Sequence, residues 1–380
     1  MPLLTTILLA ALLIQLGAWL AIHLGVNRIR KDQPECKPQS DLPISVVVAA
    51  RNEVENIARL LNCLQQQSHR PFEIVVVDDA STDGTGEVVG EAVRRSADGH
   101  SPEITLVRVT ADERAAAALP PKKNALTRGI ALAQHERLTF TDADCEPGPD
   151  WLSGIACQAA PSGSDEGALL IGYGPYKPTR GLLNTFIRYE TFVMAMIAAA
   201  AVGLGRPFLA VGRNFSYTKS MFASVGGFNH SSESLSGDDD LFVQEVVRRE
   251  AAPVRYILDE RTFVPSAAPT SLRAWVRQKR RHQSAGRHYP AVAVGLLAVF
   301  HASNLVLWLG VPGTIIVLGN WHGAGLLALK LLGQRAFTRQ AEDSLNAREI
   351  TVFQPALDGL YALYQVLAGV LSLLPTPRRW

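Results

Sequence analysis

Residues 1–27 contain no Lys, Arg, Asp or Glu, and the run LLTTILLAALLIQLGAWLAIHLG within them matches the ~20 apolar residues that a helix needs to cross a bilayer. A cleaved secretory signal is the alternative reading. The apolar run exceeds the ~7–15 residues of a signal core, no basic residue precedes it, and no small-x-small cleavage pattern follows. An uncleaved anchor is therefore expected. NRIRK (27–31) comes next, which by the positive-inside rule places the following residues in the cytoplasm. A second charge-free stretch, 289–329, is long enough for two short crossings, with GVPG (310–313) as a turn between them. A third, 359–377, precedes RRW. One anchor plus three later crossings would leave Arg378 and Arg379 on the far side. Either one segment is re-entrant or interfacial, or the charge rule fails here.

Charged residues make up 19% of the chain, below the ~25% usual for soluble proteins, and hydrophobic residues 47%. A net charge of +2 with no long basic run argues against nucleic acid as a partner. Cys36, Cys63, Cys145 and Cys157 lack the C-x-x-C spacing of a zinc or redox pair, so reduced, structural thiols are expected.

Residues 40–180 alternate strand-like and helix-like segments, the pattern of an α/β sheet. ISVVVAA (44–50) and FEIVVVDDA (72–80) read as strands covered on both faces, ITLVRVT (104–110) as a third strand, and RLTFTDAD (137–144) as a fourth. EVENIARLLNCLQQQ spaces Val54, Ile57, Leu60, Leu61 and Leu64 as one helix face. STDGTGEVVGEAVRR and KKNALTRGIALAQ are further helices.

In such sheets ligands bind outside the carboxyl ends of the strands. Strand two ends in Asp78–Asp79 and strand four in Asp142–Ala143–Asp144. Turn chemistry and helix capping account for Asp83 and Ser81, but one cap needs one carboxylate, not a pair. Two carboxylates one residue apart on extended backbone share a face, and repel unless a proton or cation sits between them. Mg²⁺ takes one or two carboxylates plus substrate phosphates. SGDDDLF (236–242) either loads a helix N-terminus with acid or supplies a general base, with crowding by Asp239 and Asp240 raising the pKa of the functional carboxyl. RAWVRQKRRHQSAGRHY (273–289) carries six Arg or Lys just before the second apolar stretch. It reads as a juxtamembrane basic helix, and offers Gln278 and Arg281 on one face.

VVVAARNEVENI, IVVVDDASTDGT, KKNAL, TDAD, VGGFN, GDDDLF and QKRRH occur in this order. Together they resemble the family 2 glycosyltransferases of GT-A fold, in the membrane-anchored branch that includes ceramide glucosyltransferase-like and polysaccharide synthase-like enzymes. The resemblance covers roughly residues 42–290. It implies a Rossmann-like mixed sheet with helices on both faces, flanked by N- and C-terminal transmembrane helices. The expected division is an anchor at 1–27, a cytoplasmic domain at 40–290 and a membrane region of two to three segments at 290–376. Within the domain, 181–205 is expected as a membrane-surface or buried helix and 273–289 as a basic interfacial one. A crossing at 181–205 would put Asp144 and Asp238 on opposite sides of the bilayer.

By the same resemblance Ala50, Arg51 and Glu53 line the nucleotide pocket, and Asp78 and Asp79 hold the base and ribose. Lys122 or Lys123 lies near the nucleotide, and Asp142 and Asp144 carry Mg²⁺ or Mn²⁺, with Asp144 the direct ligand. The family's Glu-Asp-x-Asp-Leu places the base at Asp238; Gly237 replaces the glutamate, which leaves Asp239 as an alternative. QKRRH matches Gln-x-x-Arg-Trp through Gln278 and Arg281, but His282 replaces the tryptophan of processive synthases. The expected activity is metal-dependent, inverting transfer of a sugar from a nucleotide-sugar, UDP-linked, to a hydroxyl of a lipid-like acceptor. The expected place is the plasma (inner) membrane, with several crossings. A polysaccharide synthase or polyprenyl-phosphate sugar transferase is the alternative.

Overall fold

The computed structural model describes residues 2–35, 41–96, 102–318 and 321–373. The chain divides into two compact units, one built from Met1–Lys31, Pro178–Arg206 and Thr270–Thr376, the other chiefly from Asp32–Lys177 and Pro207–Pro269.

The first unit is helical: α1 (Pro2–Lys31), α7 (Leu182–Gly203), α10 (Leu272–Gly286), α11 (Ala291–Leu318), α12 (His322–Ser344), the short α13 (Arg348–Thr351) and α14 (Gln354–Leu373). Among the described residues, Leu3–Lys31, Leu182–Gly203 and Ala291–Ile316 are long and apolar enough to cross a membrane. α1 and α7 approach backbone to backbone: a Cβ on Gly25 would lie 2.5 Å from the Ala200 carbonyl oxygen, and one on Gly203 would overlap the Gly25 carbonyl. Small residues permit this close packing. α7 is further held by Glu190, whose carboxylate accepts from Lys279 Nζ of α10 at 2.5 Å. The turn expected at GVPG does not form: Pro312 lies inside α11. A proline costs one helical hydrogen bond and a kink, which a long apolar helix tolerates when neighbouring helices hold it.

The second unit is a seven-stranded mixed sheet, ordered β3-β2-β1-β4-β6-β5-β7. β1 (Ile44–Ala50), β2 (Phe72–Asp79), β3 (Glu103–Val109) and β4 (Arg137–Phe140) run parallel. β6 (Phe215–Thr218) pairs antiparallel with β4 and with β5 (Leu169–Ile171), and β7 (Val254–Tyr256) is parallel to β5. Helices α2 (Val54–Gln65), α3 (Thr85–Ser96), α4 (Ala111–Ala116), α5 (Pro121–Leu132), α6 (Trp151–Ala159), α8 (Lys219–Ser224) and α9 (Asp240–Arg248) complete the unit. β1 and β2 are buried along their whole length, the signature of a parallel strand with helices on both faces. Val46, Val48, Ile57, Leu60 and Leu64 share one core, each contributing about 1.5–3 kcal/mol of apolar burial. α5 lies so close to the sheet that a Cβ on Gly129 would sit 2.6 Å from Val47 Cγ1.

Two expectations change in this unit. β4 ends at Phe140 rather than continuing to residue 144, and Cys145 N–H donates to the Asp142 carbonyl at 3.1 Å, closing a turn over Asp142–Cys145. Asp142 and Asp144 are thus presented by a turn, not by extended backbone. Cys157 is disulfide-bonded, whereas Cys63 and Cys145 are free; the expectation for Cys36 lies outside the described residues. Spacing along the chain detects local metal or redox pairs and says nothing of other cysteine pairings.

Candidate active site

The register of the parallel strands decides what meets at their carboxyl ends. Ala50 pairs with Asp78, and Asp78 with Arg108, so β1, β2 and β3 finish level with one another. The turns that follow are tightly tied. Asn52, at φ 54°, donates its N–H to Ser81 Oγ at 3.0 Å and accepts from Thr82 N–H through Oδ1 at 2.9 Å. Ala80, at φ 56°, is the second non-glycine residue in the left-handed region here. Such conformations cost on the order of 1–3 kcal/mol and persist only where surroundings impose them, commonly at functional sites.

Asp79 is fully buried. Its Oδ2 accepts from Arg114 Nε at 2.8 Å, and Arg51 Nη1 lies 3.8 Å away while donating to the Asp79 carbonyl at 3.1 Å. Arg114 arrives there because Thr110 and Glu113 form a capping box that opens α4. Asp79 Oδ1 is buried without a partner, an acceptor facing no donor of the chain. Asp78 Oδ1 accepts from Ser81 N–H at 3.1 Å. Glu53 receives Asn56 Nδ2 at 2.7 Å. Its carboxyl is pushed up by burial and, more weakly, by Asp144, Asp142 and Asp83, which sets it in the field of the acidic turn.

Lys122 joins the acids. Its Nζ lies 3.0 Å from Asp142 Oδ1 and 2.9 Å from Asp238 Oδ2. Burial alone would lower its pKa, but Asp142, Asp238 and Asp239 outweigh that and hold the ammonium charged. Ala49, Lys122, Thr141, Asp142, Gly212 and Asp238 line one pocket. Lys123, its neighbour, is fully buried elsewhere: Nζ donates to the Ser231 carbonyl (2.7 Å), Ser231 Oγ (2.9 Å) and the Ser234 carbonyl (3.0 Å). Burial, partly offset by Asp238 and Asp239, pulls its pKa down to about 8. Lys123→Met strands two buried carbonyls, each worth about 1–3 kcal/mol. The expected result is a clear fall in the thermal midpoint of the purified protein with donor affinity unchanged; an unaltered midpoint would contradict the cage.

The three acids before α9 divide their work. Asp239 caps α9: its Oδ1 accepts from Asp240 N–H at 2.7 Å and its Oδ2 from Gly212 N–H at 2.8 Å. Asp240 Oδ1 accepts from Ala210 N–H at 2.6 Å. Asp238 is the one that turns to the pocket. Burial and then Asp238 push the Asp239 carboxyl up to about 6. That value suits a base, but both oxygens of Asp239 are engaged by backbone, and access precedes pKa in choosing one.

On the acidic turn, burial and then Asp142 raise the Asp144 carboxyl, while Arg213 opposes the rise. Arg213 escaped the sequence reading. It stacks on the Tyr176 ring at 4.4 Å and donates Nε to the Gly174 carbonyl at 3.1 Å. A Cβ on Gly174 would lie 2.3 Å from that Nε, so the glycine is what admits the guanidinium. Asn214, also missed, is a buried hub that donates to the Tyr173 and Thr262 carbonyls and accepts from Trp151 Nε1. The structure therefore brings together Lys122, Asp142 and Asp238 in one pocket, with Glu53 and Asp144 in electrostatic reach. It sets Asp78, Asp79 and Arg51 at the neighbouring strand ends. Gln278 and Arg281 lie on α10 of the helical unit, three residues apart and so on one face.

Residues 45–160 match the family model for Glycosyl transferase family 2. A beta-monoglucosyldiacylglycerol synthase of Nostoc sp. is 32% identical over 137 residues, 35% of this chain and 27% of its own length. The amylovoran biosynthesis glycosyltransferase AmsB of Erwinia amylovora is 36% identical over 107 residues, 28% of this chain and 32% of its own. The chain thus spans about a third or less of the length of these curated relatives. A mannosyltransferase from Pyrobaculum calidifontis, solved in complex with GDP-Man and Mn²⁺, superposes with a TM-score of 0.57 at 20% identity, over 97% of this chain and 99% of that one. That likeness shows a shared fold. The mixed sheet is thus of GT-A type, and its stretch from β1 to the end of α6 is similar to the family 2 glycosyltransferases.

Proposed function

We propose that the protein is a membrane-bound glycosyltransferase that moves a sugar from a nucleoside-diphosphate sugar to a hydroxyl of a lipid-like acceptor, with inversion at the anomeric carbon. The carrying observation is the meeting of Lys122, Asp142 and Asp238 in one pocket at the carboxyl ends of β1 and β4. Asp238 takes the acceptor hydroxyl's proton. The freed oxygen bonds to the anomeric carbon as that carbon's bond to the diphosphate breaks on the opposite face, and the nucleoside diphosphate departs. A single accessible carboxylate at the attacking side favours direct displacement. Lys122 meets charge on the leaving diphosphate. Asp79 Oδ1, Asp78, Glu53, Arg51 and the Ala50 backbone are assigned to the nucleoside; uridine is the expected base.

The acidic turn fits a divalent metal. Burial and the neighbouring Asp142 raise the cost of ionising Asp144, a cost that a cation would relieve. Among the described residues no group of three or more His, Cys, Asp or Glu is disposed to hold a metal. The pair therefore suits Mg²⁺ or Mn²⁺ completed by phosphate and water, not a closed protein cage. Asp144 and Asp142 would hold the ion, which would supply positive charge against the diphosphate.

The apolar helices support a lipid-like acceptor, as does the glycolipid named in the Nostoc relative. α7 is apolar and ~33 Å long, yet β4 before it and β6 after it are hydrogen-bonded neighbours. Both of its ends return to one sheet, so a single crossing would drag unpaired backbone back through hydrocarbon. A helix at the membrane surface meets no such cost. NRIRK supports a cytoplasmic domain, whereas the disulfide at Cys157 favours an oxidising compartment. We assign the cytoplasm because the basic run directly follows the charge-free helix; a reporter fused within 160–170 that reads the far side would reverse the assignment.

Membranes containing the protein, incubated with a panel of labelled nucleotide-sugars and then extracted for lipids, test the reading. One donor is expected to yield a labelled lipid of fixed size. Label in a long water-soluble polymer would select the polysaccharide synthase instead, a reading His282 already disfavours. No transfer from any donor in an active preparation would refute both.

A further inference from the structure

α12 carries Lys330, Arg335, Arg339, Glu342 and Asp343, and is not among the helices apolar enough to cross a membrane. Its packing contradicts its composition. Leu326 and Leu327 join Leu4, Leu8, Leu12 and Leu16 of α1 in one apolar cluster. A Cβ on Gly333 would lie 2.4 Å from Leu16 Cδ2, and His23 Nδ1 is 3.1 Å from the Phe337 carbonyl oxygen. Rising numbers in α12 thus accompany rising numbers in α1. α11 runs the other way. Gly310 faces Leu8, while Gln15 Nε2 donates to the Phe300 carbonyl at 2.6 Å and Ser303 Oγ at 2.8 Å. A helix that keeps company with the charge-free part of α1 from Leu4 to His23 reaches the same depth.

The polarity of α12 is also inverted there. Between residues 323 and 333 the exposed positions are Gly325, Ala328, Leu329 and Leu332. Lys330, the charge in that stretch, is fully buried and paired with Asp358 of α14, whose Oδ2 also accepts from Trp308 Nε1 of α11 at 2.6 Å. A charge turned inward and paired, with leucines turned outward, is how an ionisable residue is carried at bilayer depth. Arg335 and Arg339 follow at the end that lies beside His23.

We propose that α12 crosses the bilayer beside α1, with its Leu329–Leu332 face against lipid hydrocarbon, and that the Lys330–Asp358 pair makes this crossing tenable. α14 does not add a fourth crossing. Its Tyr361 packs on His301 at 5.6 Å and its Tyr364 on Trp275 of α10 at 4.8 Å, while Gln283 of α10 donates to the Ala368 carbonyl. Rising numbers in α14 therefore lead from Trp308 back to the basic helix that precedes α11. Three crossings, α1, α11 and α12, put Arg335, Arg339 and Arg348 on the side of NRIRK, as the charge rule requires.

Trp321→Cys and Arg348→Cys, made separately in the full chain, test the crossing. Each is labelled with a membrane-impermeant maleimide in intact and permeabilised cells, and scored above the labelling of the unchanged chain. One site is expected to react in intact cells and the other only after permeabilisation, whichever side the catalytic unit occupies. Reaction of both from the same side overturns the crossing. Lys330→Met and Asp358→Leu test the pair: each alone is expected to cut membrane-integrated protein by roughly tenfold or more, by stranding one charge. The double variant is expected to recover most of it. A double variant no better than the singles, or singles at the unchanged level, removes the pair from this role.

Discussion

Asp238→Asn is expected to lower transfer by about 10²–10⁴-fold while donor affinity stays within about twofold, because a positioned general base contributes roughly that factor and asparagine keeps the shape without the basicity. The reasoning rests on how the acidic run is disposed. Asp239 spends both oxygens on Gly212 and Asp240 N–H groups, Asp240 accepts from Ala210, and Asp238 alone of the three borders the pocket, 8% exposed and 2.9 Å from Lys122. Asp239→Asn is the contrasting variant. It weakens a helix cap worth about 1 kcal/mol and loosens the Gly212 backbone, so a modest loss of stability with partial activity is expected. Donor binding by tryptophan fluorescence or calorimetry, run beside single-turnover transfer, separates the cases. If Asp239→Asn abolishes turnover and Asp238→Asn spares it, the base is Asp239, whose pKa near 6 would then be the better guide than its hydrogen bonds.

Much of the α/β unit was legible because buried parallel strands announce themselves. ISVVVAA and FEIVVVDD are strands from first residue to last, since only β-branched runs sheltered on both faces look that way. Asp78 and Asp79 do fall at the carboxyl end of β2, and Asp142 in the turn just past the end of β4. What could not be read were choices made by tertiary context. Lys122 and Lys123 are adjacent and chemically identical, yet one faces Asp142 and Asp238 and the other a cage of Ser231 and Ser234 atoms. Helix rotation decides that, and α5 is rotated by the fit of Gly129 against Val47. GVPG looked like a turn because proline and glycine end soluble helices; in a long apolar helix the lost hydrogen bond is a tolerable defect. Arg213 gave no signal, because an arginine between apolar segments looks like surface until Gly174 and Tyr176, some forty residues earlier, are known to receive it. α12 does not read as a crossing from its composition, because Lys330, Arg335 and Arg339 fall within it, and no local pattern shows that Lys330 is answered by Asp358 on another helix.

Asp144→Asn is expected to abolish the metal dependence of donor binding, not simply to weaken it. In the unchanged protein, adding a chelator should reduce nucleotide-sugar affinity on the order of 10–100-fold, the usual worth of a metal-site interaction. In the variant, affinity should start at that reduced level and no longer respond to chelator or to added Mn²⁺. Asparagine preserves the size of the side chain and its place in the turn closed by the Cys145 N–H, so the fold has no reason to change. What it removes is the charge whose repulsion with Asp142 a cation would relieve. Asp142→Asn makes a different variant, because Asp142 is also a partner of Lys122. There the lysine retains Asp238 at 2.9 Å, and residual metal-independent binding should exceed that of Asp144→Asn. Binding that still rises with Mn²⁺ in Asp144→Asn would mean that the acidic turn is not where the cation sits. Full chelator-insensitivity of the unchanged protein would mean that Lys122 and the nearby arginines alone hold the diphosphate, with the two aspartates serving only to orient them.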